Sequence, residues 1–239
     1  MLYVFSVADF EGEGRRRRLF EVFDAHPDFR PSFVGPADPP RIRVTSMTEV
    51  MRSARLPIRY LIARQKKPHY EGGEINLHRG RGGWTGSWRE GESELREAYL
   101  IPHSVQANYA ADWFGGPEGA ERISRLETFF NSICEVMDAF YGWVGTLSLW
   151  RQRMRTLHRG IPFPQLERNL PDVMWLNYFG PSWLARVGDR LRQLPYEMKA
   201  SSTGGVTVKT TESPFALEPG ADPAAYLHME AAIDRRPWC

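Results

Sequence analysis

Long apolar runs, paired cysteines and a charge of one sign are all missing from this sequence of 239 residues. No apolar stretch approaches the roughly 18 residues that a membrane-spanning helix needs. The opening stretch, Met1 to Gly14, has a short apolar run but neither a basic leader nor a small-residue cleavage site. It reads as a first β-strand and not as a signal peptide. Two cysteines, Cys134 and Cys239, exclude a disulfide scaffold by count and point to a reducing compartment. A soluble, cytoplasmic protein that uses no membrane is therefore expected. The formal net charge is only +2. Residues 1–110 hold 17 Lys/Arg against 14 Asp/Glu, and residues 111–239 hold 14 against 15, so neither half is a basic arm or an acidic mimic of nucleic acid.

Catalytic and ligand motifs are scarce too. None of the histidines (His26, His69, His78, His103, His158 and His228) has the i, i+4 spacing of a zinc-binding pair or a cysteine partner nearby. There is no Gly-x-Ser-x-Gly nucleophile elbow. Cys134 falls on the apolar stripe of a helix, where a thiol is buried and inert. The stretch "HRGRGGWTG" at 78–86 resembles a phosphate cradle, but strands flank it and no Lys-Ser/Thr pair closes it, so it reads as a hairpin turn. Glu90, Glu92, Glu94 and Glu97 lie in a polar stretch and read as a solvated turn. The expectation is a chain with no catalytic residues, no metal and no cofactor, hence not an enzyme.

What is present is the composition of a folding chain: 42% hydrophobic, 25% charged and 13% aromatic residues. Leu2–Val7 predicts a strand and Gly14–His26 a helix with Leu19, Phe20 and Phe23 inward. A Pro-rich loop with a short strand follows. Leu56–Arg64, the hairpin within "EINLHRGRGGWTGSWRE" and Glu97–Ser104 read as further strands. After Pro117, Ile123, Leu126, Phe130, Ile133, Met137 and Phe140 form one apolar stripe at helical spacing. Gly142–Trp150 is strand-like, Arg151–Gly160 is a basic segment, and a loop follows. Pro181–Leu194 predicts a helix, and Tyr196–Ala200 with Val206–Thr210 a hairpin around "TGG". Pro223–Ile233 reads as a closing helix. Helices and hairpins mix without a βαβ rhythm, so the class is α+β: one domain with a largely antiparallel sheet and packed helices. "DWFGGPEGAERISRL" and "NYFGPSWLARVGDRL" share aromatics, Gly, Pro and an amphipathic helix, which suggests two related strand–turn–helix units.

Two features suit a binding role. Trp84 and Trp88, four apart on a strand, point to the same face. They cap the core or, with Arg81 beside them, anchor a protein partner, since Trp and Arg dominate interface hot spots. The arginine tracts Arg15–Arg18 and Arg151–Arg159 and the "RGRGG" turn support an alternative, a nucleic-acid-associated protein, although no nucleic acid is expected as a partner.

The best-specified stretch runs from Trp175 to Phe215. Trp175, Asn177 and Tyr178 lead to Gly180-Pro181 and a short helix. The hairpin with Gly204 and Gly205 at its turn follows, and then Thr211, Glu212, Pro214 and Phe215 of a Thr-Glu-x-Pro-Phe motif. This segment resembles the C-terminal signature of the immunity protein 52 family and related bacterial families, loosely over 143–217 and well over 175–217. The resemblance implies a single immunity-type domain over 1–239, with a divergent N-terminal half (1–110) and a signature-bearing half (111–239). It implies binding and neutralisation of a cognate toxin encoded by a neighbouring gene. That toxin is expected to be a nuclease-type effector, inhibited by occlusion. The aromatics around Gly180 and Pro181 are expected to brace helix against sheet, as scaffold. The oligomeric state is not readable from the sequence.

Overall fold

The continuous apolar run at the start of Leu2–Ser6 (β1) produces a strand that is buried on both sides, at the centre of a large sheet. The computed structural model describes residues 1–6, 13–35, 40–54, 60–67, 70–78, 103–149 and 174–217. The other strands are β2 (Phe33–Gly35), β3 (Ile42–Arg43), β4 (Tyr60–Lys67), β5 (Tyr70–His78), β6 (His103–Asn108), β7 (Ala139–Val144), β8 (Leu176–Phe179), β9 (Glu197–Ala200) and β10 (Val206–Lys209). Among the described residues they form one sheet in the order β3-β2-β4-β5-β6-β1-β7-β8-β10-β9, and every neighbouring pair is antiparallel. The helices are α1 (Glu13–Ala25), α2 (Met47–Ala54), α3 (Gly119–Met137) and α4 (Pro181–Leu191), with 3₁₀ turns at Ala111–Phe114 and Pro214–Leu217. The α+β class with its antiparallel sheet is observed.

Pleating sorts the central strands into two apolar faces, because successive side chains point to opposite sides. Val4, Gly142 and Tyr178 share one row and one face. A Cβ on Gly142 would lie 3.2 Å from the Phe130 ring and 3.3 Å from Cys134 Sγ, so α3 sits directly on this face. Helix α3 buries Leu126, Phe129, Phe130, Ile133, Cys134 and Met137. Phe129 stacks on Phe29 at 4.8 Å and meets Phe23 of α1 edge-on, which ties α1 to the same layer. The opposite face carries an aromatic ladder. Tyr3 meets Trp143, Phe5 meets Tyr141, Tyr141 meets Phe179, and Phe179 meets Trp183 of α4, with ring centroids 5.0–6.4 Å apart. Such pairs add about 0.5–1.5 kcal/mol each beyond their burial.

Several boundaries differ from the sequence expectation. The apolar stripe of α3 does not continue to Phe140. The helix ends at Met137, Asp138 takes a left-handed conformation (φ 52°), and Phe140 belongs to β7. The strand expected over Gly142–Trp150 is instead Ala139–Val144, and the chain is helical at 147–149. Strand β5 begins before the expected hairpin, at Tyr70, and pairs with β4 and β6. The second arm of that hairpin lies outside the described residues. So do the basic segment at 151–160, the loop after it, the closing helix at 223–233, and Cys239. The two similar segments take different forms: the first places its aromatics in the 3₁₀ turn Ala111–Phe114, the second in strand β8. The arginines that open α1 are not uniformly solvated: Arg17 and Arg18 are exposed, Arg15 and Arg16 half-buried.

Helix α2 was not expected, yet Ser46 and Glu49 carry its capping signal: the Glu49 amide donates to Ser46 Oγ at 3.2 Å. Its stronger cap comes from a distance. Asp24, on α1, accepts from the Met47 amide at 2.7 Å, the Thr48 amide at 3.1 Å, and the hydroxyls of Ser46 and Thr48 at 2.7 and 2.6 Å. Burial alone would raise the Asp24 carboxyl, but these donors outweigh it and hold its pKa below the usual value. A depressed carboxylate stabilises the fold above its unfolded pKa of about 3.9. That stabilisation is lost as pH falls through the folded value. Asp24→Asn is expected to cost about 1–2 kcal/mol at neutral pH. Urea unfolding at a series of pH values should show the gap to the parent protein closing at acid pH. A gap that is constant down to pH 3 would refute the carboxylate's role.

Candidate partner-binding region

The signature residues converge on β8 and what surrounds it. Trp175, fully buried, donates from its indole Nε1 to the Thr211 carbonyl at 2.7 Å. The Thr210 amide donates to the Trp175 carbonyl at 2.9 Å, and the Thr210 hydroxyl reaches the carbonyls of Met174 and Trp175. Thr211 Oγ1 donates to the Ser213 carbonyl, which folds the chain into the 3₁₀ turn of Pro214 and Phe215. Asn177 closes the start of β8, accepting from the Met174 amide at 2.9 Å and donating to its carbonyl at 2.7 Å. A buried amide satisfied in this way costs little and holds one register. These side chains spend their polar atoms inside the molecule.

Gly180 is not needed here for backbone freedom. Its φ of −71° and ψ of 174° suit any residue. The reason for glycine is close approach: a Cβ there would lie 2.4 Å from the Ala139 carbonyl oxygen and 2.8 Å from Phe140 Cα. Its amide donates to the Phe140 carbonyl at 2.9 Å, and Pro181 then opens α4 in its first turn. Gly205 has a similar task, since a Cβ would lie 2.1 Å from the Tyr178 hydroxyl. The Tyr178 ring leans diagonally over Gly205, and its hydroxyl bonds Thr203 Oγ1 at 2.9 Å. Burial raises the Tyr178 pKa, although the hydroxyls of Thr203 and Ser201 oppose that shift.

A polar stripe on α3 reads this hairpin. Glu127, Asn131 and Glu135 are spaced four apart, about 6 Å along a helix. Thr207 and Lys209 are two apart on β10, nearly 7 Å along a strand. The near match lets successive residues meet. Glu127 pairs with Lys209 at 3.8 Å, Asn131 Oδ1 accepts from the Thr207 hydroxyl, and Glu135 accepts from Ser201 Oγ and the Ser202 amide at 3.1 and 3.0 Å. Lys209 also meets Glu197 at 3.2 Å and Glu212 at 3.6 Å. Burial would lower its pKa, but the three carboxylates outweigh burial and raise it. Glu212 itself is almost fully exposed, at 97%. This stripe was not foreseen, because it lies on the flank of the apolar one and its partners are distant in sequence.

Pro214 and Phe215 do more than pack. With Met1, Tyr109, Phe114 and Leu147 they border a cavity of about 260 Å³ at the ends of β6 and β7. Leu147, 41% exposed, stands at this cavity as a large hydrophobic residue in contact with solvent. Among the described residues its lining carries no Asp, Glu, Lys, Arg, His or Cys side chain. Its volume is below the roughly 300–1,000 Å³ of small-molecule sites. Cys134 is fully buried, and burial, with Glu135 beside it, pushes its thiol well above the usual range. It is therefore not an activated nucleophile. Among the described residues no three His, Cys, Asp or Glu side chains are placed to hold a metal, and no helix is long and apolar enough to cross a membrane. Arg81, Trp84 and Trp88, the anchors suggested by the sequence, lie outside the described residues.

No family profile matches the chain, and neither does any curated protein sequence. In three dimensions it is similar to the Pseudomonas aeruginosa T6SS protein PA0821, with a TM-score of 0.61 and 15% sequence identity, over 98% of this chain and 71% of that one. At this identity the likeness is one of fold.

Proposed function

We propose that this chain is an immunity protein that binds an antagonistic bacterial toxin and neutralises it by occlusion, without catalysis of its own. The observation that carries the reading is the fold shared over 98% of the chain with a T6SS protein. It meets the independent resemblance of residues 175–217 to an immunity family. The signature side chains support a division of labour: they are consumed in holding β8, α4 and the hairpin together, which leaves recognition to other surfaces. The toxin is proposed to be a nuclease-type effector encoded beside this chain. With a net charge of +2 the inhibitor does not imitate DNA, so the occlusion is proposed to work by covering the active site and not by mimicry of the substrate.

Protection needs affinity near nanomolar, about −12 kcal/mol, usually concentrated in a few aromatic and Arg anchors. Co-expression with the neighbouring gene product in a sensitive host should restore survival and give a complex that co-purifies. Survival without a complex, or neither, would overturn the reading. Within that complex, Arg81→Ala, Trp84→Ala and Trp88→Ala are each expected to raise Kd by about tenfold or more, measured by calorimetry. Unchanged Kd in all three, with unchanged unfolding midpoints, would remove them from the interface.

A further inference from the structure

Strand β9 ends the sheet order, with β10 on one side. The hydrogen bonds around it show which of its backbone groups face outward. Thr210 donates to Trp175 of the preceding ladder, so residues 206, 208 and 210 direct their N–H and C=O groups toward β8, and 207 and 209 toward β9. The Ser201 amide donates to the Gly205 carbonyl in the same phase. Residues 197, 199 and 201 therefore bond inward to β10, and the N–H and C=O groups of Met198 and Ala200 point outward, with no partner among the described residues. Glu197, Lys199 and Ala200 are exposed, and Met198 is half-buried. Among the described residues this edge is unpaired, and its amides are in phase.

The side chains show what fits it. Antiparallel pairing of β9 with its own copy about a two-fold axis at Met198 sets Met198 opposite Met198. It also sets Glu197 opposite Lys199 of the second copy, twice, on one face of a continuous sheet. A two-fold interface must complement itself, and Glu-x-Lys in an antiparallel strand does so in this register. Residue 198 is also the position whose outward amide and carbonyl would exchange two hydrogen bonds with their equivalents. Shifting the register by one residue puts Glu197 opposite Ala200 and loses the charge match.

We propose that β9 is a self-association edge through which two copies of this chain join their sheets, with opposed Glu197 and Lys199 setting the register. Charged residues on an edge strand commonly discourage pairing. Here their alternation favours one partner, a second copy. The inference is independent of what the chain neutralises, so its failure leaves the immunity reading intact.

The test is sedimentation velocity on the full chain over a concentration series. The parent is expected to form a dimer. Lys199→Glu places Glu opposite Glu at both pairs and should weaken the dimer by about tenfold or more. The swap Glu197→Lys with Lys199→Glu restores the opposed charges and should bring association back toward the parent, while Glu127 and Glu212 still neutralise Lys209. Met198→Pro removes an outward N–H that β10 does not use and should abolish the dimer with a retained unfolding transition. A parent that stays monomeric at its highest soluble concentration overturns the proposal. So does a dimer that Lys199→Glu leaves unchanged, or a loss that the charge swap fails to reverse. A monomer that accepts an extended strand of a different protein at β9 overturns the choice of a second copy.

Discussion

Trp175→Ala is expected to lower the unfolding free energy by about 3–5 kcal/mol, the range for removing a fully buried tryptophan. The indole has no exposed surface, and its Nε1 carries the contact at 2.7 Å that holds the Thr211 carbonyl against β8. Removing it leaves a cavity beneath the sheet and releases the segment that positions Pro214 and Phe215. Trp175→Phe separates the two effects, since it keeps most of the apolar volume but cannot donate. It should cost about 1–3 kcal/mol, with a fraction of that due to the unpaired carbonyl. Urea denaturation of both variants measures the difference. A loss below 1 kcal/mol for the alanine variant would mean that the motif is packed more loosely than its contacts state.

Gly180→Ala is the second large effect, and it is steric. Because φ and ψ at this position suit any residue, no conformational penalty is expected. The added methyl would meet the backbone of Ala139 and Phe140 at 2.4–2.8 Å, and backbone atoms cannot rotate away as a side-chain tip can. Either β7 and β8 separate or the amide bond from Gly180 to Phe140 breaks. A loss of about 3 kcal/mol is expected. For a chain of this size that corresponds to about 6–12 °C in Tm. Gly204→Ala is the informative control. There φ is +82° and the nearest obstacle, Pro181 Cγ, is 3.7 Å away, so the cost is conformational and about 1 kcal/mol. A Gly204→Ala variant that melts at a lower temperature than Gly180→Ala would invert this account.

The sequence by itself determined the local elements of the C-terminal half. Period 3.6 in Ile123–Met137 and period two in Met198–Ala200 and Val206–Val208 are short-range patterns, and each becomes the element that its period dictates. Pro181 likewise marks the start of α4 without help from elsewhere. The missing catalytic and ligand motifs shaped the functional reading from the start, because such motifs are local too. Distant contacts were not legible. Phe140 continues the helical spacing, yet it pairs in a strand because Asp138 turns the chain and β1 offers a partner five residues long. Helix α2 is capped by Asp24 from more than twenty residues away. The reason for Gly180 lies in a carbonyl forty-one residues earlier, which no local pattern can announce. Only the tertiary structure placed β1 between β6 and β7, matched the spacing of Glu127, Asn131 and Glu135 to the rise of β10, and left β9 unpaired on one side among the described residues. Periodicity belongs to a few neighbouring residues, whereas sheet order and close approach are set by burying all the apolar faces at once.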